Sequence, residues 1–105
     1  MNDDDLQVRD NPAASRIEAT VEGQTGYAEY QLNPGTITFT HTRVPENLRG
    51  RGIGTRLIET GLALARARGL EVLPVCPFFR AYMRTHADSQ ALLGAAGRRL
   101  LAQPS

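Results

Sequence analysis

The apolar residues change period near residue 50, and that change constrains the fold more than any other feature. Before it the chain alternates: Ile17, Ala19 and Val21, then Tyr27-Ala28-Glu29-Tyr30-Gln31-Leu32, then Thr36-Ile37-Thr38-Phe39-Thr40-His41-Thr42-Arg43-Val44. A two-residue period puts alternate side chains on opposite faces of a strand, and β-branched and aromatic residues suit that pleated surface. After it, Ile53, Leu57, Ile58, Leu62, Leu64 and Ala65 recur at helical spacing, with Arg56, Glu59 and Arg66 on the opposite face.

The turn residues agree with this division. Leu6 to Arg9 alternates briefly, and Asp10-Asn11-Pro12 breaks it. Glu22-Gly23-Gln24 and Asn33-Pro34-Gly35 read as turns, and Pro45 stops the fourth strand. Residues 1–45 thus predict an antiparallel meander of about four strands. The helix from Ile53 is expected to end at Arg68-Gly69, with a basic last turn and a glycine beyond it. Leu70 to Val75 reads as a strand and Phe78 to Thr85 as a second helix, with Phe79, Tyr82 and Met83 on one face. Ser89 to Leu101 reads as a further helix. A strand–helix–strand connection makes the last strand parallel to the fourth. The fold class is therefore α/β with a mixed sheet, in one domain over residues 6–101. Residues 1–5 are expected to be disordered and 102–105 to fray.

A formal net charge of +1 gives no electrostatic case for a nucleic-acid partner, which calls for a basic stripe. All 12 basic residues are arginine. Their planar forks suit phosphate, although genomic composition and a solvated surface also explain them. The one cysteine, Cys76, rules out an internal disulfide and fits a reducing compartment. No segment approaches the roughly 20 apolar residues of a membrane span. The acidic start Met1-Asn2-Asp3-Asp4-Asp5 is unlike a signal peptide, so a cytoplasmic location is expected. No metal-ligand set is assigned.

Between the two periods lies Val44-Pro45-Glu46-Asn47-Leu48-Arg49-Gly50-Arg51-Gly52-Ile53-Gly54. A helix N-terminus offers unpaired N–H groups and about half a positive charge, hence a ready anion site. Glycines let a phosphate approach the backbone, and Arg49 and Arg51 add charge. The P-loop is excluded, because the chain has no lysine; the dinucleotide fingerprint is excluded by Thr55 where it needs a glycine. A tight turn packing helix on sheet remains the structural alternative.

The segment Arg49-x-x-Gly52-x-Gly54 resembles the pyrophosphate loop of the GNAT superfamily of N-acetyltransferases. The wider run Thr40-His41-Thr42, Val44-Pro45, Arg49 to Ile53, Pro74-Val75-Cys76-Pro77-Phe78, Ala81-Tyr82 and His86 is similar to the small single-domain GNAT-like proteins, over about residues 7–93. The resemblance implies a truncated GNAT fold without the N-terminal helical region. It implies that acetyl-CoA (coenzyme A) lies between the strands Thr36–Val44 and Leu70–Val75. The backbone near Val44 would pair with the pantetheine arm. Amides of Arg51, Gly52, Ile53, Gly54 and Thr55 would hold the pyrophosphate, with Arg49 and Gly50 completing the loop.

Four side chains are candidates for the chemistry. Cys76, before Pro77, sits at the N-cap of the second helix, where a thiol pKa falls and a thiolate could attack a thioester; it is otherwise a small buried hydrophobe. His41 is a proton acceptor beside the strands' splay or a solvent-facing strand residue. Tyr82 is the acid for the leaving CoA thiolate, as the resemblance implies, or a core residue. His86 is a cation suited to a helix C-terminus, and the resemblance retains a histidine there. Two departures from the family pattern concern the acceptor: Arg43 stands where a glutamate is usual, and His86-Ala87-Asp88-Ser89 replaces His-Pro-Glu-Tyr. The resulting expectation is an N-acetyltransferase acting on a small-molecule or protein amine. The alternatives are a non-catalytic acyl-CoA-binding module and a domain that binds a phosphorylated partner.

Overall fold

The computed structural model describes residues 6–104, so the expectation for residues 1–5 lies outside it. Five strands form one sheet in chain order: β1 (Gln7–Asn11), β2 (Arg16–Val21), β3 (Gln24–Asn33), β4 (Thr36–Arg43) and β5 (Glu71–Pro74). β1 to β4 are antiparallel and β5 is parallel to β4. Helix α1 (Ile53–Arg68) makes the crossover, α2 (Pro77–Thr85) follows β5, and α3 (Ala95–Ala102) comes last. This is the mixed α/β sheet that the change of period predicts.

Local chemistry fixes most boundaries. Glycines in left-handed conformation bracket α1: Gly52 at φ 78° and Gly69 at φ 65°, the latter donating its amide to Arg66 O. Glu22 and Gly23 both have positive φ, the geometry of a two-residue hairpin turn, so Gln24 already belongs to β3. β1 runs on to Asn11, beyond the expected break, because Asp10 and Asn11 pair with Ile17 and Arg16.

One face of the sheet carries the core. Ile17, Ala19, Val21, Ala28, Ile37 and Phe39 are buried there with Leu57, Ile58, Leu62 and Ala65 of α1. Each of the larger side chains among them contributes about 1.5–3 kcal/mol by leaving water, and the alanines less. Phe39 stacks on Phe79 of α2 with centroids 4.1 Å apart. Gly61 makes this possible: a Cβ there would stand 2.8 Å from Phe39 Cε1 and 3.3 Å from Phe79 Cζ. A mid-helix glycine costs about 1 kcal/mol against alanine, a cost offset by the aromatic pair that α1 then seals. Tyr30 reaches Asp10 with its hydroxyl at 2.6 Å, and burial together with that carboxylate pushes its pKa up to about 12. On the opposite face Glu18 accepts from Arg16 at 2.7 Å and from Asn11 at 3.2 Å. The Arg16 hydrogen bond holds the Glu18 carboxyl below its ordinary range, against the opposing effect of burial.

The segment Ser89–Leu101 is not one helix. A 3-10 turn over Ala87–Leu92 is followed by extended backbone at Leu93 and Gly94, and α3 starts at Ala95. The cause is tertiary. A Cβ on Gly97 would lie 2.5 Å from Val72 O, and one on Gly94 2.3 Å from a Glu71 carboxylate oxygen. The segment therefore breaks to lay two glycines on β5. Arg84 of α2 holds the end of α3 by donating to Leu101 O at 2.9 Å and to Gln103 O.

Two irregularities in the sheet open a gap. In β4, Glu29 pairs with His41 but Tyr30 pairs with Phe39, so Thr40 is an extra residue without a cross-strand partner. Such a bulge bends the strand and shifts its alternation. Phe39 and Thr42 are consequently both buried, while His41 and Arg43 are exposed. β5 pairs with β4 only as far as Phe39–Pro74, and Cys76 N donates to Phe39 O at 2.8 Å just beyond. Past that bond β4 continues and β5 turns into α2, so the two parallel strands diverge.

Candidate active site

Where β4 and β5 part, a cleft of about 760 Å³ opens. Its walls are His41, Thr42, Arg43 and Val44 of β4; Leu48, Arg49, Gly50 and Gly52 of the loop; Ile53, Gly54, Thr55 and Ile58 of α1; and Phe78, Ala81, Tyr82, Thr85 and His86 at α2. Nearly every residue singled out from the sequence is on this wall. Arg51 and Cys76 are the two that are not. A second hollow of about 560 Å³ beside Ser15 and Glu29 contains none of them.

At the loop end the wall is largely backbone. No side chain caps α1, and its first turn carries no acidic residue. The first bond into the helix is Arg56 N to Gly52 O at 3.1 Å. Among the described residues, the amides of Ile53, Gly54 and Thr55 donate to nothing. Three free donors therefore coincide with the positive end of the helix dipole. Gly50 and Gly52 hold φ values of 83° and 78°, which other residues enter only with strain, and a Cβ at either would meet nothing within 4 Å. The glycines are needed for conformation, and the space above them is open. Arg49 is exposed on the wall. The Arg51 guanidinium instead donates to Glu22 at 2.9 Å, tying the loop to the β2–β3 turn.

At the α2 end the wall is made of side chains. The Tyr82 and His86 rings stack with centroids 3.7 Å apart and an interplanar angle of 5°. His86 Nδ1 lies 2.8 Å from Tyr82 O and 3.0 Å from Thr85 Oγ1, which fixes the imidazole against the helix end. The Tyr82 hydroxyl donates to Glu59 Oε2 at 3.5 Å. Burial raises the Tyr82 pKa, and the carboxylates of Glu59 and Asp88 raise it further, so the phenol keeps its proton at neutral pH. His41 packs near Tyr27, with ring centroids 6.3 Å apart. Tyr27 in turn lies under the Arg16 guanidinium, 4.6 Å from its ring centroid.

Cys76 stands at the N-cap of α2, as the sequence predicts, but it is only 2% exposed. Its sulfur lies 3.3 Å from Thr42 Oγ1. Thr42 is among the residues that line the cleft, and Cys76 is not.

Sequence reasoning missed Thr42, Leu48, Ile58, Phe78, Ala81 and Thr85 as wall residues. Phe78, Ala81, Tyr82 and Thr85 do carry a signal, a stripe at helical spacing beside the core stripe of Phe79 and Met83. Tyr82 belongs to the cleft stripe and only partly to the core one. Glu59, 23 residues before Tyr82, has no local signal.

Among the described residues no helix is long and apolar enough to cross a membrane. A search of the curated proteins finds no match to this chain. A family profile described as GCN5-related N-acetyl-transferase matches residues 16–92. That span takes in both parallel strands, the glycine loop and the helix carrying Tyr82, and it covers well over half of the chain. The chain belongs to the GCN5-related N-acetyl-transferase family.

Proposed function

We propose that this protein is an acetyl-CoA-dependent N-acetyltransferase that passes the acetyl group directly to an amine. The observation that carries the reading is the uncapped start of α1 beneath the open space at Gly50 and Gly52. A diphosphate needs several converging donors and room to approach the backbone. The amides of Ile53, Gly54 and Thr55 and the guanidinium of Arg49 are such a set. A cleft of this size also suits a cofactor arm.

Bound acetyl-CoA would supply a thioester, whose acetyl carbon an amine can attack. Unpaired backbone of β4 near Val44 lines the path from the loop toward Tyr82. Tyr82, protonated at neutral pH, would give its hydroxyl proton to the departing sulfur. His41, exposed on the wall, would take the proton that the amine gives up. Direct transfer is favoured over an acetyl-cysteine because Cys76 is buried against Thr42 and does not line the cleft. For the same reason no step here passes through its sulfur.

Calorimetric titration with CoA, followed by thiol release from acetyl-CoA in the presence of amines, tests the reading. Saturable one-to-one binding and amine-dependent release are expected. No binding of CoA would sink it; binding without release from any amine would leave a module that only carries the acyl-CoA.

A further inference from the structure

We propose that the acceptor is a small amine with a carboxylate beside its amino group and an apolar body, the chemistry of an apolar amino acid, and that Arg43 selects it. This rests on the acetyl-transfer reading above.

Arg43 lies on the cleft wall, exposed, two residues from His41 and on the same face of β4. Arg16 is engaged by Glu18, and Arg51 by Glu22. The Arg43 guanidinium, by contrast, makes no hydrogen bond or ion pair with the described residues. Such a fork pairs with a carboxylate through two parallel hydrogen bonds. Phe78 of α2, 60% exposed, lines the α2 side of the cleft together with Ala81 and Ile58. The cleft thus offers a free guanidinium and a proton acceptor on one wall and an apolar surface on the other.

Charge decides which amine fits. Arg43 and Arg49 are fixed cations on the wall, no carboxylate is among the described residues that line it, and Glu59, outside the lining, receives the Tyr82 hydroxyl. An ammonium arriving alone meets like charge. An amine that brings a carboxylate has that charge neutralised by Arg43. Pairing with Arg43 also removes the carboxylate's hold on the amino proton, and a nearby cation lowers the amine pKa. Both effects favour the neutral amine that attacks. Its nitrogen forms the bond to the acetyl carbon as the carbon–sulfur bond breaks. The proton it loses goes to His41, and the one gained by sulfur comes from Tyr82.

The test uses the full chain and measures CoA affinity first. Thiol release is then followed with phenylalanine, phenethylamine, phosphoethanolamine and a lysine-rich peptide as acceptors. We expect kcat/KM for phenylalanine at least about tenfold above phenethylamine, the value of one good charged pair. Arg43→Ala should bring that ratio to about one, through KM for phenylalanine, with CoA affinity unchanged; Arg43→Lys should restore part of it. Preference for phenethylamine, phosphoethanolamine or the peptide overturns the inference and leaves acetyl transfer standing. So does a phenylalanine preference that survives in Arg43→Ala; CoA binding with none of the four acceptors modified overturns the inference and counts against acetyl transfer as well. Failure to bind CoA removes both readings.

Discussion

At the α1 end of the cleft the wall is three unpaired amides and two left-handed glycines; at the α2 end it is Phe78, Ala81, Tyr82, Thr85 and His86, all acting through side chains. The two ends differ in what can alter them. Amide donors are the same whatever residue supplies them, so the first end is fixed by conformation and by the absence of Cβ atoms. The second end depends on which side chains the helix presents, and substitution can retune it without moving the backbone. Under the proposed function, a chain built this way would keep one acyl donor while the side chains around it vary the acceptor.

The largest expected effect comes from Gly52→Val. The wild-type residue sits at φ 78°, where a β-branched side chain is strained by about 1–3 kcal/mol. The added atoms would also enter the open space above the loop. CoA affinity should fall by at least about a hundredfold, as the strained loop and the blocked approach add. Calorimetry on the folded variant checks this, and affinity within about threefold of wild type would show that the phosphate lies elsewhere.

Tyr82→Phe probes the other end. Positioned acids contribute about a hundredfold or more, and water can replace part of that. The expectation is a fall in kcat of about tenfold to a hundredfold with CoA affinity unchanged. The sign of the pH effect follows from the raised pKa: the phenol stays protonated through neutrality, and the wild-type rate falls only as pH climbs past the ordinary tyrosine range. The variant should lack that alkaline fall. An identical alkaline limb in both proteins would assign the proton to another group.

The same contrast explains what the sequence reveals. The bounds of α1 are legible because Gly52 and Gly69 are punctuation that any chain would need there. β2 is legible because its alternation faces a single core. The loop's conformation is legible because left-handed backbone at Gly50 and Gly52 leaves a glycine signature. The bulge at Thr40 is invisible, since one unpaired residue changes which side His41 and Arg43 face without changing the alternating text. The break at Leu93-Gly94 is equally hidden, because β5 causes it from across the fold. Tyr82 and Glu59 meet only after α1 and α2 pack together. Contacts set by distant elements leave no local period, so the α2 end had to wait for the structure.

Gly54→Ala separates binding from strain. Gly54 lies in the first turn of α1 without a positive φ, and a methyl there would stand 3.9 Å from Val44 Cγ2. Alanine should leave the melting temperature unchanged or raise it, since it is the better helix former by up to about 1 kcal/mol. The methyl nevertheless faces the cleft, so CoA affinity should fall by about tenfold. If stability and affinity rise together, the first turn of α1 is not a contact for the cofactor.

The smallest effect on rate is expected at the most reactive side chain. Cys76 is 2% exposed, its sulfur is 3.3 Å from the Thr42 hydroxyl, and its amide is held by Phe39 O. A nucleophile in that position would have to become exposed before it met a thioester. Cys76→Ala removes one sulfur from a packed site and leaves the Thr42 hydroxyl without that partner, a loss of about 1–2 kcal/mol. Turnover should stay within about threefold, and Cys76→Ser, which keeps a hydroxyl for Thr42, should recover part of the stability. Mass spectrometry of wild-type protein incubated with acetyl-CoA should find no acetyl group on Cys76. Abolished turnover in a folded Cys76→Ala that still binds CoA would reverse this assignment. It would mean that the α2 end opens in solution and that its side chains, unlike the glycine loop, are not in their working arrangement when the cleft is empty.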